Sequence, residues 1–179
     1  SQWVAAAVPA GEGDVVLDLC AAPGGKATAI AATGATVIAA DLQPHRVGLV
    51  AHNIVRVAAS TAFAVVADAT QSPFREASAD HVLIDAPCSG LGTLRRRADA
   101  RWRIQPADVA QLAQLQQQII EAAAPLVKPG GTLVYSVCTL LAEESTGHTV
   151  PDGFDVIREK PRGTWRPFGD GWRVLPHDA

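Results

Sequence analysis

Apolar positions along the chain fall into two periods. Five short runs are apolar almost without a break: Val15–Leu19, Ala35–Ala40, Ala62–Val66, His81–Ile84 and Thr132–Tyr135. Runs of this kind, rich in aliphatic and β-branched residues, predict parallel strands covered on both faces. Between them apolar residues recur at helical spacing. Val47, Val50, Ala51, Ile54 and Val57 follow Gln43-Pro44, and Val109, Leu112, Leu115, Ile119, Ile120, Ala123 and Leu126 follow Pro106. Each Pro stands where a first helical turn tolerates it. A further helix is predicted after Lys26, to about Ala32, and a short amphipathic one over Gln2–Val8, closed by Pro9 and a Gly11–Asp14 turn. Lys128-Pro129-Gly130-Gly131 is predicted to stop the long helix, and residues 70–79 form a polar loop. Residues 142–179 are less regular; Phe154–Ile157 and Gly171–Leu175 are predicted as two antiparallel edge strands. Strands that alternate with helices predict an α/β fold with a mostly parallel, doubly wound sheet.

Composition narrows the class. The 179 residues are 48% hydrophobic and 18% charged, as in an ordinary globular domain, and a single domain over 1–179 is expected. No apolar run reaches the length of a membrane span, and no signal peptide is visible. The chain has no Met and opens on Ser1-Gln2-Trp3, so it reads as a piece of a longer protein. The three cysteines, Cys20, Cys88 and Cys138, form no CxxC pair, and the five histidines no cluster. Reduced thiols in the cytoplasm are expected, with no metal. The net charge is -3, so any nucleic acid must be met by a local patch.

The candidate chemistry lies just past the strands, where open α/β sheets bind ligands. The first run passes into Cys20-Ala21-Ala22-Pro23-Gly24-Gly25-Lys26 and then a helix, the geometry of a nucleotide cradle. Cys20 replaces the first glycine of a P-loop and Ala27 its Ser/Thr, so a nucleoside fits better than a pyrophosphate. Asp41 ends the second run, at a position suited to ribose hydroxyls, and Asp68 follows the third, placed to accept from an adenine amino group. The fourth run delivers Asp85-Ala86-Pro87-Cys88-Ser89-Gly90, and the fifth Ser136-Val137-Cys138-Thr139. Two thiols and a carboxylate at that edge suggest a cysteine nucleophile acting on a nucleic-acid base. Arg95, Arg96, Arg97, Arg101 and Arg103, with Trp102, offer phosphate contacts and a stacking group.

These features, in this order, resemble the RNA cytosine-5 methyltransferases of the Sun/Fmu (RsmB-like) and Nop/Sun group over about residues 1–145. The stretch Leu94–Arg97 with Arg101-Trp102 is similar to the bacterial branch acting on 16S ribosomal RNA. The resemblance implies a class I, Rossmann-like methyltransferase of the seven-stranded type, here one strand short, that uses S-adenosylmethionine. It implies that Cys20–Lys26 cradle the cofactor, that Asp41 holds the ribose, Asp68 the adenine, and that Asp85 stands at both cofactor and target base. Cys138 would be the nucleophile and Cys88 would assist release. RNA is the implied partner and a monomer the expected state. N-terminal RNA-binding domains and a closing strand of the family are absent from these 179 residues, and Pro151 interrupts the helix expected after Glu143 and Glu144.

The chemistry needs these groups. C5 of cytosine is a poor nucleophile until a thiolate adds to C6. Charge driven into the ring calls for a proton at N3, which Asp85 would supply if burial kept it protonated. The base must also leave its stack. Other readings are a transfer RNA cytosine as target, or an amino nitrogen, for which Asn-Pro-Pro-aromatic would be expected in place of Asp85–Cys88. A non-catalytic RNA-binding or assembly factor keeping the fold is a further reading, and it would not need Cys138.

Overall fold

The computed structural model describes residues 2–95, 102 and 104–175. Its helices are α1 (Gln2–Ala5), α2 (Gly25–Ala31), α3 (Pro44–Arg56) and α4 (Pro106–Ala123). Its strands are β1 (Val15–Asp18), β2 (Thr36–Asp41), β3 (Ala62–Val66), β4 (Ala79–Asp85), β5 (Val127–Ser136), β6 (Arg166–Phe168) and β7 (Gly171–Arg173). The main sheet is parallel, in the order β3-β2-β1-β4-β5. The order reverses at β1, whose neighbours are β2 and β4: Val16 pairs with Val37 on one side and with His81 on the other. The chain divides into two compact units, one of residues up to Asp85 with Ile119–Tyr135, the other of Ala86–Gln118 with residues from Ser136 onward.

In the first unit the core is strand and helix side chains that see no water. Val16, Val37, Ala39, Val50, Val82, Leu83 and Ile84 are all 0% exposed. Burial on both faces is the reason these strands read as unbroken apolar runs. β3 is an edge strand, and Phe63 and Val66 on it are half exposed. On α3 the buried stripe is narrower than predicted. Val47 and Val50 are buried and Ile54 packs against the core, but Ala51 and Val57 are exposed. Val57 lies past the last helical residue, where the backbone has already left helical geometry.

Several boundaries differ from the sequence reading. α1 stops at Ala5, and Val8 is buried in a following turn whose N–H reaches the Ala5 carbonyl. β4 begins at Ala79, inside the predicted loop, and Asp68 caps a 3-10 turn over Ala69–Gln71. Lys128–Gly131, predicted as a break, is the start of β5. The Lys128 ammonium sits 2.8 Å from both Asp80 carboxylate oxygens, and a Cβ on Gly131 would lie 2.5 Å from the Asp80 carbonyl. Glycine there permits close approach of two backbones rather than a turn. The described residues hold five strands in this sheet, against the seven of the expected type.

The second unit carries the β6–β7 hairpin. Phe168 pairs with Gly171, so Gly169-Asp170 is a two-residue loop with Gly169 at φ +57°. Phe154–Ile157 forms no strand, so the predicted partner of Gly171–Leu175 was misplaced; the partner is Arg166–Phe168.

Candidate functional site

The turn from Cys20 to Lys26 joins β1 to α2, and its conformation follows from small residues. Gly24 has φ +101°, and a Cβ there would lie 3.2 Å from Val50 Cα on α3. Only glycine lets the turn rest on α3 in that left-handed conformation. The turn's polar groups have partners at β2 and α3. Ala21 N–H donates to the Ala40 carbonyl (2.8 Å) and Ala22 N–H to Asp41 Oδ2 (3.2 Å). Asn53 Nδ2 donates to the Pro23 carbonyl (2.8 Å) and Arg46 to that of Ala22 (3.4 Å). Asp41 also accepts from Gln43 N–H and pairs with Arg46 at 3.3 Å. Lys26 Nζ lies 2.6 Å from Asp85 Oδ2. Asp85 is therefore an ion-paired carboxylate, where the sequence reading asked for a buried acid. Asp68 Oδ1 accepts from both the hydroxyl and the N–H of Thr70, which hold its carboxyl below the usual range.

Beneath the turn lies Asp18, fully buried at the end of β1. Burial, then the neighbouring Asp85 charge, pushes its carboxyl up to about 7, against the pull of Lys26 and of the Cys20 N–H. Its Oδ1 finds no donor among the described residues. Burial and the carboxylates of Asp18, Asp41 and Asp85 push the Cys20 thiol up to about 12, so Cys20 is a neutral thiol and no nucleophile. A buried acceptor without a donor, beside a turn of small residues and a strand-end acid, suits a nucleoside that carries cationic groups. Asp18 opens the motif that runs to Lys26 but was given no role from sequence, because an acid inside an apolar run gives no sign that it will be orphaned.

The second unit holds both other thiols. Cys88 Sγ and Cys138 Sγ are 3.3 Å apart, and Cys138 N–H donates to Cys88 Sγ at 3.3 Å. The loops that carry them are tied by Ala86 N–H to the Ser136 carbonyl (2.9 Å) and Gly92 N–H to the Cys138 carbonyl (3.0 Å). A Cβ on Gly92 would lie 2.9 Å from that carbonyl oxygen. Cys138 is exposed and Cys88 half-buried. The hydrogen bond with Cys138, and then burial, push the Cys88 thiol far up, so Cys88 keeps its proton while the more accessible Cys138 faces reagents. Behind the thiols stand Ser89, Gln116, Thr139 and Glu144, all buried, none assigned a role from sequence. One signal was available for Gln116. It falls on the apolar face of α4, four residues after Leu112 and three before Ile119.

Of the predicted RNA-contacting residues, Arg95 and Trp102 are exposed, Trp102 by 75%. Arg96, Arg97, Arg101 and Arg103 lie outside the described residues. Among the described residues no group of three or more His, Cys, Asp or Glu is placed to hold a metal, and no helix is long and apolar enough to cross a membrane.

A parallel sheet in this order, with a glycine turn after β1 and acids ending β1, β2 and β4, is the fold of the S-adenosylmethionine-dependent methyltransferases. The description of the 16S rRNA methyltransferase RsmB/F family matches residues 5–151, and the chain belongs to that family, which uses S-adenosylmethionine. It is 43% identical over 143 residues to ribosomal RNA small subunit methyltransferase B of Erwinia tasmaniensis, covering 75% of this chain and 32% of that protein. The chain thus spans about a third of the length of the curated relatives it matches. Among solved structures it is similar to PH0851 (TM-score 0.88, 31% identity, 98% of this chain and 42% of that one). It is also similar to NSun6 from Pyrococcus horikoshii, solved with the S-adenosylmethionine analogue SFG (TM-score 0.74, 35% identity, 82% and 38%).

Proposed function

We propose that this chain is the catalytic part of a cytoplasmic enzyme that methylates C5 of a cytosine in small-subunit ribosomal RNA. The observation that carries the reading is the pair of thiols 3.3 Å apart, one exposed and one held protonated, on loops that follow β4 and β5. An enzyme methylating an amino nitrogen, or a factor that only binds RNA, has no use for that pair.

The residues divide the work as follows. Residues Cys20–Lys26, Asp41 and Asp68 hold the cofactor, and buried Asp18 offers its orphaned oxygen to a cationic group of it. S-adenosylmethionine, when bound, supplies an electrophilic methyl group on a sulfonium. Cys138 adds as thiolate to C6 of the target cytosine, which breaks the ring conjugation and makes C5 nucleophilic. Asp85 meets the base at N3, and the negative charge that addition drives there is neutralised by a proton from the Lys26 ammonium, relayed through the Asp85 carboxyl with which it is paired. Once C5 is methylated its proton must leave and the C6–S bond must break. The C5 proton passes to solvent water, the C6–S electron pair leaves on Cys138, and the Cys88 thiol gives its proton to the departing sulfur and is reprotonated from solvent; Arg95 and Trp102 contact the RNA with their flanking arginines.

The test is a methyl-transfer assay on small-subunit ribosomal RNA. Cys138→Ala removes turnover. Cys88→Ala leaves addition intact and blocks release, so an RNA–protein adduct persists through a denaturing gel. Turnover retained in Cys138→Ala overturns the covalent reading.

A further inference from the structure

Three buried polar residues, Ser89, Gln116 and Thr139, link the two thiol loops to the carboxyl of Glu144, and the hydrogen-bond directions follow one from another. Glu144 is 0% exposed. Its Oε1 accepts from Ser89 N–H (2.7 Å) and from Gln116 Nε2 (3.2 Å), and its Oε2 accepts from the Ser89 hydroxyl. The Ser89 hydroxyl donates to Glu144 Oε2, so its one proton is committed there. The Ser89 oxygen, 3.0 Å from Thr139 Oγ1, must then accept from the Thr139 hydroxyl. Thr139 Oγ1 keeps a lone pair for Leu141 N–H (3.3 Å). Gln116 Nε2 also donates to the Pro87 carbonyl at 2.8 Å. Gln116 Oε1 is left to accept from His148 Nε2 (3.1 Å). Burial holds the His148 ring below its usual range, against the pull of the Glu144 backbone and side chain.

Pro87 and Ser89 flank Cys88, and Thr139 follows Cys138. The Glu144 carboxyl thus holds Ser89 directly, Pro87 through Gln116, and Thr139 beyond the other thiol through the Ser89 hydroxyl. We infer that Glu144 is the positioning residue of the two-thiol centre: with Ser89 and Gln116 it sets the separation of Cys88 and Cys138. A buried carboxyl is tolerated only where it is hydrogen-bonded, and here its donors come from the Cys88 loop and from α4, while the Cys138 loop is tied in through Thr139 and Ser89. The catalytic consequence rests on the cysteine reading given above; the geometric one does not.

The experiment uses a thiol ruler. Diamide takes two electrons and two protons from a close thiol pair, joining them in a disulfide while it becomes the hydrazine. The rate of Cys88–Cys138 disulfide formation, identified by peptide mapping, is measured in the full chain and in Glu144→Gln, Glu144→Ala and Ser89→Ala. A control, Val16→Ala, lowers the melting temperature in the core of the other unit. Glu144→Gln and Ser89→Ala are expected to slow the disulfide about tenfold or more. S-adenosylhomocysteine affinity stays within about twofold, and kcat for RNA methylation falls with little change in the cofactor KM. Glu144→Ala is expected to be the most affected; if it does not fold, the other two variants decide. An unchanged rate in Glu144→Gln and Ser89→Ala, or an equal slowing in Val16→Ala at matched melting temperature, overturns the inference. Turnover retained by Cys138→Ala would instead remove the cysteine reading and leave the ruler result standing.

Discussion

At the scale of single residues, burial and not residue type decides which acid does what. Asp18, Asp41, Asp68 and Asp85 are the same side chain at four levels of solvation and pairing. Asp41 and Asp85 have cationic partners, Asp68 has a hydroxyl and an N–H, and Asp18 has burial and a neighbouring negative charge. Asp18 therefore carries a pH signature in the ligand-free chain. Its folded carboxyl titrates at about 7 and its unfolded one near 3.8, so the folded state binds the extra proton between those values. The stability it contributes is complete below pH 3.8 and is lost as pH rises through about 7, a change of the order of 4 kcal/mol. Asp68 and Asp80, held below the usual range, act in the opposite sense at lower pH, and His148 does so below its ordinary 6.5. The difference between wild type and Asp18→Asn isolates the one group. The urea midpoint of Asp18→Asn should rise relative to wild type from pH 5 to pH 8, within reach of Asp85, Lys26 and Asp41. A constant difference across that range would show that Asp18 is ionised throughout.

At the scale of elements, the parallel strands were legible because strands buried on both faces must be continuously apolar. The turn after β1 was legible because close backbone approach demands glycine, and Gly24 against Val50 shows that demand. The β6–β7 hairpin was not. Its strands are three residues long and partly exposed, so they carry no period, and only Gly169-Asp170 marked the turn. The thiols themselves were legible from their motifs, but the Glu144 network was not, because a buried polar side chain is indistinguishable from an exposed one until its donors are placed. Gly92 belongs to the same lesson. Its place beside the Cys138 carbonyl follows from packing of two loops distant in sequence. Gly92→Ala would set a Cβ 2.9 Å from that oxygen and break the Gly92 N–H bond to it. The expected cost is about 1–3 kcal/mol of stability, with loss of methyl transfer and unaltered S-adenosylhomocysteine binding. Equal loss of cofactor affinity in the calorimeter would show that the loop does more than seat Cys138.

At the scale of the whole molecule, the two units own different parts of the chemistry. The Cys20–Lys26 turn, Asp18, Asp41, Asp68 and Asp85 belong to the first, and the thiols and Glu144 to the second. A net charge of -3 gives the chain no long-range attraction to RNA, so on the proposed reading cofactor binding does not depend on RNA. That independence can be read without any RNA. At a concentration about 100 times its Kd, a ligand of the native state stabilises it by about 2.7 kcal/mol. Amides that exchange only when the cradle opens should then slow by about a hundredfold. Leu19, Ala21, Ala22 and Gln43 are the amides to follow with S-adenosylhomocysteine, since each is hydrogen-bonded within or against the cradle. Slowing at those four would place the nucleoside on the first unit. Unchanged exchange there, with slowing at Ser89 and Gly92 instead, would move the ligand to the thiol loops and require new roles for Asp18 and Asp41.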